Sequence, residues 1–118
     1  MEKMVEKRIL ITGNTGYVGP VLSRSLKKSR SDTIILGFDV GYFSHCLTYP
    51  HYNPLFDIDK QFWGDIREFP QYLFDGVDSI VHLAAISNDP MGKSYEKVTT
   101  DINLKSSVNF AKSAKKLE

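Results

Sequence analysis

Three glycines and one carboxylate are the residues of this chain whose types and spacing could hold a ligand. Gly13, Gly16 and Gly19 are spaced G-x-x-G-x-x-G, and Asp39 follows twenty residues after the last of them. Glycine allows a tight turn and lets a pyrophosphate approach the backbone without a Cβ in the way. A carboxylate at that distance can accept hydrogen bonds from an adenosine ribose. The spacing therefore predicts a dinucleotide site.

The elements on either side of the glycines are a strand and a helix. The apolar run at 8–12 is typical of a buried strand, and apolar residues then recur at three- and four-residue spacing, at Val18, Val21, Leu22 and Leu26. Free N–H groups at the start of such a helix bind a diphosphate. The candidate diphosphate-binding segment is Gly13, Asn14, Thr15, Gly16, Tyr17, Val18 and Gly19.

The charge at the end of the second predicted strand indicates which dinucleotide is preferred. Asp39 would repel a 2′-phosphate, and no Lys or Arg lies between Asp39 and Lys60. The sequence therefore favours NAD over NADP as the cofactor. A glycine-bearing turn that binds nothing is the structural alternative.

Strand and helix patterns alternate along the chain. Strands are predicted at 8–12, 33–39, 61–65 and 78–85, and helices from 17, over 68–74 and over 94–117. A long loop with aromatic anchors, Phe56 among them, is predicted over 40–59. Alternating strands and helices form parallel βαβ units, so the predicted class is α/β with a Rossmann-type doubly wound sheet.

Length and composition exclude several other classes of protein. The 118 residues suit one domain, a formal net charge of +1 gives no field toward nucleic acid, and one cysteine cannot form an internal disulfide. No apolar run reaches the ~20 residues of a membrane span, and the charged N-terminus is unlike a signal peptide. We expect a cytoplasmic protein with no nucleic-acid or membrane partner.

Other residues suggest chemistry less strongly. The Gly-Lys-Ser at 92–94 is similar to a phosphate-binding loop, but Ser87 stands where that motif needs glycine. Two histidines and a cysteine within 45–51 lack the spacing and the fourth ligand of a zinc site. His82 ends a predicted strand, where packing explains it better than catalysis.

The glycine segment resembles a known family. Residues 11–19, I-T-G-N-T-G-Y-V-G, are similar to the T-G-x-x-G-x-x-G fingerprint of the extended short-chain dehydrogenase/reductases, which include NAD-dependent sugar-nucleotide epimerases and dehydratases. The resemblance continues at Gly-Asp-Ile-Arg 64–67, at Val-His-Leu-Ala-Ala 81–85 and at Asp-Ile-Asn 101–103.

The resemblance implies a sheet order of 3-2-1-4 and places further residues at the cofactor. In such enzymes NAD⁺ takes a hydride from a sugar carbon while the tyrosine of a Tyr-x-x-x-Lys pair takes the hydroxyl proton. The resemblance implies that the adenine meets Asp65 and Ile66, and that the rest of the crevice is lined by Leu83, Ala84, Ala85, Ser87 and Asn103.

The catalytic pair of that family is missing, because no tyrosine here is followed four residues later by lysine. We therefore interpret residues 1–118 as the NAD-binding N-terminal part of a longer enzyme acting on a nucleotide sugar, inactive alone. The place beside its fourth strand would be empty, which predicts self-association into a homo-oligomer. The alternative is a stand-alone nicotinamide-dinucleotide-binding or sensor module without catalysis.

Overall fold

The structure is a computed structural model that describes residues 6–16, 18–41, 55–84 and 101–116. Four strands form one sheet: β1 (Arg8–Thr12), β2 (Ile34–Asp39), β3 (Lys60–Trp63) and β4 (Ser79–His82). Helix α1 (Gly19–Ser29) connects β1 to β2, and 3₁₀ turns at Ile66–Glu68 and Gln71–Phe74 lie between β3 and β4. A π-helical segment (Asp101–Ser106) continues into helix α2 (Ser107–Lys116).

All strand pairs are parallel, and the strand order is β3-β2-β1-β4. Both the predicted α/β class and the predicted order are confirmed. Leu10 of β1 is opposite Leu36 of β2 on one side and Ile80 of β4 on the other. From β1 the chain continues to β2 and β3 on one side and then to β4 on the other side of β1. In doubly wound sheets, ligands bind at the carboxyl ends of the strands beside the point where the strand order reverses in this way.

The predicted apolar face of α1 is confirmed for Leu22 and Leu26, which are half-buried, but not for its valines. Val18 and Val21 are 60% and 55% exposed, whereas Gly19 and Ser23 are buried. The small residues face the protein because the start of the helix packs directly on the glycine turn, which leaves no room for a valine. The buried Ser23 hydroxyl has a hydrogen-bond partner there, because it donates to the Gly19 carbonyl at 2.9 Å.

Between β3 and β4 the predicted helix over 68–74 is replaced by two short 3₁₀ turns. Pro70 interrupts them, because proline lacks an N–H and disfavours a helical conformation at Phe69, which is extended (φ −66°, ψ 124°). The last strand is also shorter than the predicted 78–85 and ends at His82.

An aromatic cluster joins this segment to α2. The ring of Phe69 lies 4.8 Å from those of Phe38 and Phe74 and 4.9 Å from that of Phe110. Among the apolar residues of α2, Val108 and Ala111 are exposed, whereas Phe110 is buried and Ala114 packs against the core. Edge-to-face aromatic packing therefore sets the rotation of α2.

Several predictions fall outside the described residues: most of the long loop over 40–59, the residues at 45–51 and 92–94, and the first part of the last helix. Phe56 is described, and it does not anchor its loop, because its ring is 78% exposed. In the described part of the chain, no helix is long and apolar enough to cross a bilayer.

We predict that Phe110→Ala lowers the free energy of unfolding by about 3 kcal/mol, because it opens a cavity where three other rings meet. Val108→Ala, on the exposed side of the same helix, should change it by less than about 0.5 kcal/mol. Urea unfolding of both variants measures the difference. Equal effects would mean that α2 does not pack as described.

Candidate cofactor site

The first glycine of the turn is required by the fold itself. Gly13 has φ +72°, and a Cβ there would lie 2.7 Å from the backbone nitrogen of Ala84. Its N–H donates to the carbonyl of Phe38 at 2.8 Å. The turn is therefore clamped between the ends of β2 and β4 by backbone contacts, and a side chain at residue 13 would separate them.

The other two glycines differ in what surrounds them. A Cβ on Gly19 would overlap the backbone of Asn14, so the helix cannot begin where it does with a larger residue. A Cβ on Gly16 would meet only the Gly13 carbonyl oxygen, at 3.4 Å, among the described residues, and its φ is not positive. Gly13 and Gly19 serve internal packing, whereas the open side of Gly16 leaves room for a ligand.

Asp39, the predicted ribose acceptor, ends β2 directly beside the turn. Its Oδ2 accepts from the Thr15 N–H at 2.9 Å, and its Oδ1 accepts from the Gly41 N–H at 2.8 Å. A carboxylate has about four acceptor positions, so two remain for a ligand. Asp39 thus has a structural task that the sequence did not reveal, because it ties the glycine turn to the second strand.

Two features of the turn suit a phosphate-bearing cofactor. The hydroxyl of Thr15 is buried without a hydrogen-bond partner among the described residues, which is unusual for a buried polar atom. No side chain of the described residues caps the start of α1, and its first turn carries no acidic residue. Uncapped N–H groups at a helix start attract anions. The residues present therefore fit a dinucleotide.

The side chain of Asn14 forms an amide pair with Gln61 of β3. Asn14 Nδ2 donates to Gln61 Oε1 at 2.6 Å, and Gln61 Nε2 donates to Asn14 Oδ1 at 3.2 Å and to the Phe62 carbonyl at 2.9 Å. Asn14 is fully buried. Sequence analysis missed Gln61, because a lone glutamine on an edge strand carries no motif.

His82 connects β1, β4 and α2. Its Nδ1 is 2.6 Å from the Thr12 hydroxyl, which also accepts from the Ala84 N–H at 3.3 Å, and its Nε2 is 3.0 Å from the Ser107 hydroxyl. The imidazole stacks on Phe110 with ring centroids 4.8 Å apart. Burial lowers the pKa of His82. These contacts support the packing interpretation.

Asp65 and Ile66, the two residues expected at the adenine, differ in their surroundings. Arg67 donates to both carboxylate oxygens of Asp65, the shortest of these bonds being 2.6 Å, and this pairing lowers the pKa of Asp65. Ile66 is 8% exposed and belongs to the hydrophobic core. A ligand here would therefore meet the backbone of Ile66 and share the carboxylate of Asp65 with Arg67.

The remaining predicted site residues separate into three groups. Leu83 and Ala84 lie beside the turn, where the Leu83 N–H donates to the Thr12 carbonyl at 3.0 Å. Asn103 is exposed on the π-helical segment. Tyr17, Ala85 and Ser87 are outside the described residues. Across the ranges that the structure describes, no three His, Cys, Asp or Glu side chains come together as metal ligands.

The sequence profile of the NAD-dependent epimerase/dehydratase family matches residues 9–118. The chain belongs to this family. The predicted resemblance is thereby confirmed, and it extends over both the glycine turn and the strands around it. No curated protein matches the chain in sequence.

Solved structures share the fold. A UDP-glucose 4-epimerase superposes with a TM-score of 0.74 at 19% identity, over 94% of this chain and 32% of that one. An NAD-dependent NDP-hexosamine 5,6-dehydratase of tunicamycin biosynthesis gives 0.66 at 25% identity, over 86% and 30%. A short-chain dehydrogenase/reductase superfamily protein from Agrobacterium tumefaciens with bound NAD gives 0.62 at 19%, over 91% and 28%. The chain thus spans about a third of each structure's length.

We predict that Gly19→Ala lowers the free energy of unfolding by about 3 kcal/mol, because the new methyl group overlaps the backbone of Asn14. Gly16→Ala is the matched control and should stay within about 1 kcal/mol of wild type. Urea unfolding measures both variants. Equal destabilisation would contradict the separate roles of the two glycines.

We predict that His82 makes the chain less stable as the pH falls below 6.5. The unfolded chain takes up a proton near 6.5, the ordinary pKa of histidine, whereas burial lowers the pKa of folded His82, so the unfolded state gains protons first. The free energy of unfolding should therefore fall more steeply between pH 7.5 and 5.5 in wild type than in His82→Gln. Parallel slopes in urea unfolding would sink this prediction. The other two histidines are present in both proteins, so their contributions to the two slopes cancel.

Proposed function

We propose that this chain forms the NAD-binding part of an enzyme that acts on a nucleotide sugar. The family supplies the coarse assignment, an NAD-dependent epimerase or dehydratase. The substrate class is supported by relatives of the same fold whose names specify nucleotide sugars, a UDP-glucose 4-epimerase and an NDP-hexosamine dehydratase among them. We propose the cytoplasm as the compartment, because a single cysteine cannot form an internal disulfide and disulfides are typical of oxidising compartments.

The observation that carries this proposal is the unequal use of the three glycines. Packing explains Gly13 and Gly19, but among the described residues it does not explain Gly16, whose side is open. A glycine without a packing reason is expected where a ligand approaches the backbone closely. The buried hydroxyl of Thr15, next to Gly16, also has no hydrogen-bond partner in the part of the chain that the structure describes.

Each part of the turn has a distinct task in holding the cofactor. The N–H groups at the start of α1 would donate to the diphosphate oxygens, and the two unused acceptor positions of Asp39 would accept from the ribose hydroxyls. The negative charge of Asp39 would exclude a 2′-phosphate, which selects NAD over NADP. When bound, NAD would accept a hydride from the sugar and later return that hydride to it.

The acid and base for that chemistry are proposed to lie outside these 118 residues. No Tyr-x-x-x-Lys pair occurs in the chain, and the chain covers only 32% of the UDP-glucose 4-epimerase that it resembles. His82 does not replace the pair, because both of its ring nitrogens lie within hydrogen-bond distance of a hydroxyl, of Thr12 and of Ser107. We therefore expect cofactor binding without turnover from this chain.

The proposal is tested by calorimetric titration of the chain with NAD and with NADP. We expect NAD to bind at least about tenfold more tightly, since a 2′-phosphate beside a carboxylate is repelled. Gly16→Ala should abolish binding of both cofactors while the chain stays folded. No NAD binding by a folded wild-type chain would contradict the proposal.

Asp39→Arg separates the charge of Asp39 from its structural task. Both affinities should fall, because the Thr15 and Gly41 amides lose their acceptor, so the ratio of the two dissociation constants is the useful readout. We expect that ratio to shift toward NADP. An unchanged ratio would show that Asp39 does not face the ribose.

A further inference from the structure

The amide pair of Asn14 and Gln61 spans three elements of the site. Asn14 belongs to the glycine turn, Gln61 to β3, and Gly37 of β2 lies between them. A Cβ on Gly37 would overlap both Gln61 Oε1 and Asn14 Nδ2, so the pair sits directly on the backbone of β2. Gly37 and Gln61 are also register partners in the sheet.

The backbone of Asn14 carries the rest of the turn. The start of α1 packs on it at Gly19, and the next residue, Thr15, gives its N–H to Asp39. A shift of Asn14 would therefore move both the helix start and the Thr15 amide. The Asn14 side chain adds an anchor to the backbone contacts of the turn, and within the described residues its hydrogen bonds run to Gln61.

We infer that Gln61 is a positioning residue that holds the glycine turn, through Asn14, in the conformation that accepts the cofactor. This inference rests on the proposed NAD site and adds a residue to it that touches no cofactor itself. The pairing is demanding, because Gln61 must present one acceptor and two donor contacts at once. Among side chains of this length only an amide does so when neutral.

Gln61→Glu is the test, because it keeps the shape and removes the donors. At pH 7.5 the new carboxylate would face the oxygens of Asn14 and Phe62, to which Gln61 donates in the wild type. Buried acceptors left unpaired are unfavourable, and the repulsion loosens Asn14. The part-buried carboxyl faces acceptor oxygens, which favours its neutral form and raises its pKa above that of a free glutamate. As the pH falls to 5, protonation therefore restores one O–H donor. The defect should therefore be present at pH 7.5 and relieved at pH 5.

Amide hydrogen exchange by NMR reports on the turn without any ligand. Relative to the Ile34 amide, which bonds to Lys7 at the far end of the sheet, the Thr15 amide of Gln61→Glu should lose about tenfold in protection at pH 7.5. Most of this loss should disappear at pH 5. The exposed Gln71 gives the matched control, because Gln71→Glu makes the same chemical change away from the turn.

Calorimetric titration then tests whether the conformation of the turn affects the affinity for NAD. NAD should bind Gln61→Glu about tenfold more weakly than wild type at pH 7.5 and within about threefold of it at pH 5, with Gln71→Glu unchanged. Unchanged Thr15 protection, a loss that persists at pH 5, or full NAD affinity despite a loosened turn would each overturn the inference. If wild type binds no NAD but Thr15 protection behaves as expected, the proposed function fails, whereas the positioning of the turn by Gln61 stands.

Discussion

The close backbone approach at the glycine turn is the constraint on which the rest of the site depends. The turn contacts the end of β4 at Gly13 and the start of α1 at Gly19, and in both places a single Cβ would force the elements apart. Hydrogen bonds then lock the same turn to β2, through the Phe38 carbonyl and the Asp39 carboxylate. The helix start and the strand ends are thus held together by one short segment.

Polar side chains extend this arrangement across the sheet. Gln61 reaches the turn from the edge strand β3, and His82 joins β1 and β4 to the helix that follows. Each uses its polar atoms against other parts of the protein, which is the condition for burying polar groups without loss of stability. These contacts connect the turn to β3 and the end of β1 to β4 and α2.

Some groups of the turn are used in packing, and others are the ones that the proposed cofactor would contact. The groups that hold the turn have their hydrogen bonds within the chain. Within the described ranges, the side of Gly16 is open, the Thr15 hydroxyl has no partner and the start of α1 has no side-chain cap, and these are the places where the proposed cofactor would bind. Asp39 belongs to both sets, since its carboxylate anchors the turn and retains acceptor capacity. In the proposed function, this carboxylate would meet the ribose from a position that hydrogen bonds within the chain already fix.

The sequence by itself determined the parallel sheet and the segment that carries the candidate site, because strand runs and glycine spacing are local signals, and the family resemblance added the 3-2-1-4 order. It predicted the buried faces of the helices only in part. Val18 and Val21 are exposed and Phe110 is buried because close contact at Gly19 and packing among four aromatic rings override apolar periodicity. Nor could it reveal Gln61 or the anchoring role of Asp39. Those depend on partners 47 and 24 residues away in the chain, which only the tertiary structure brings into contact.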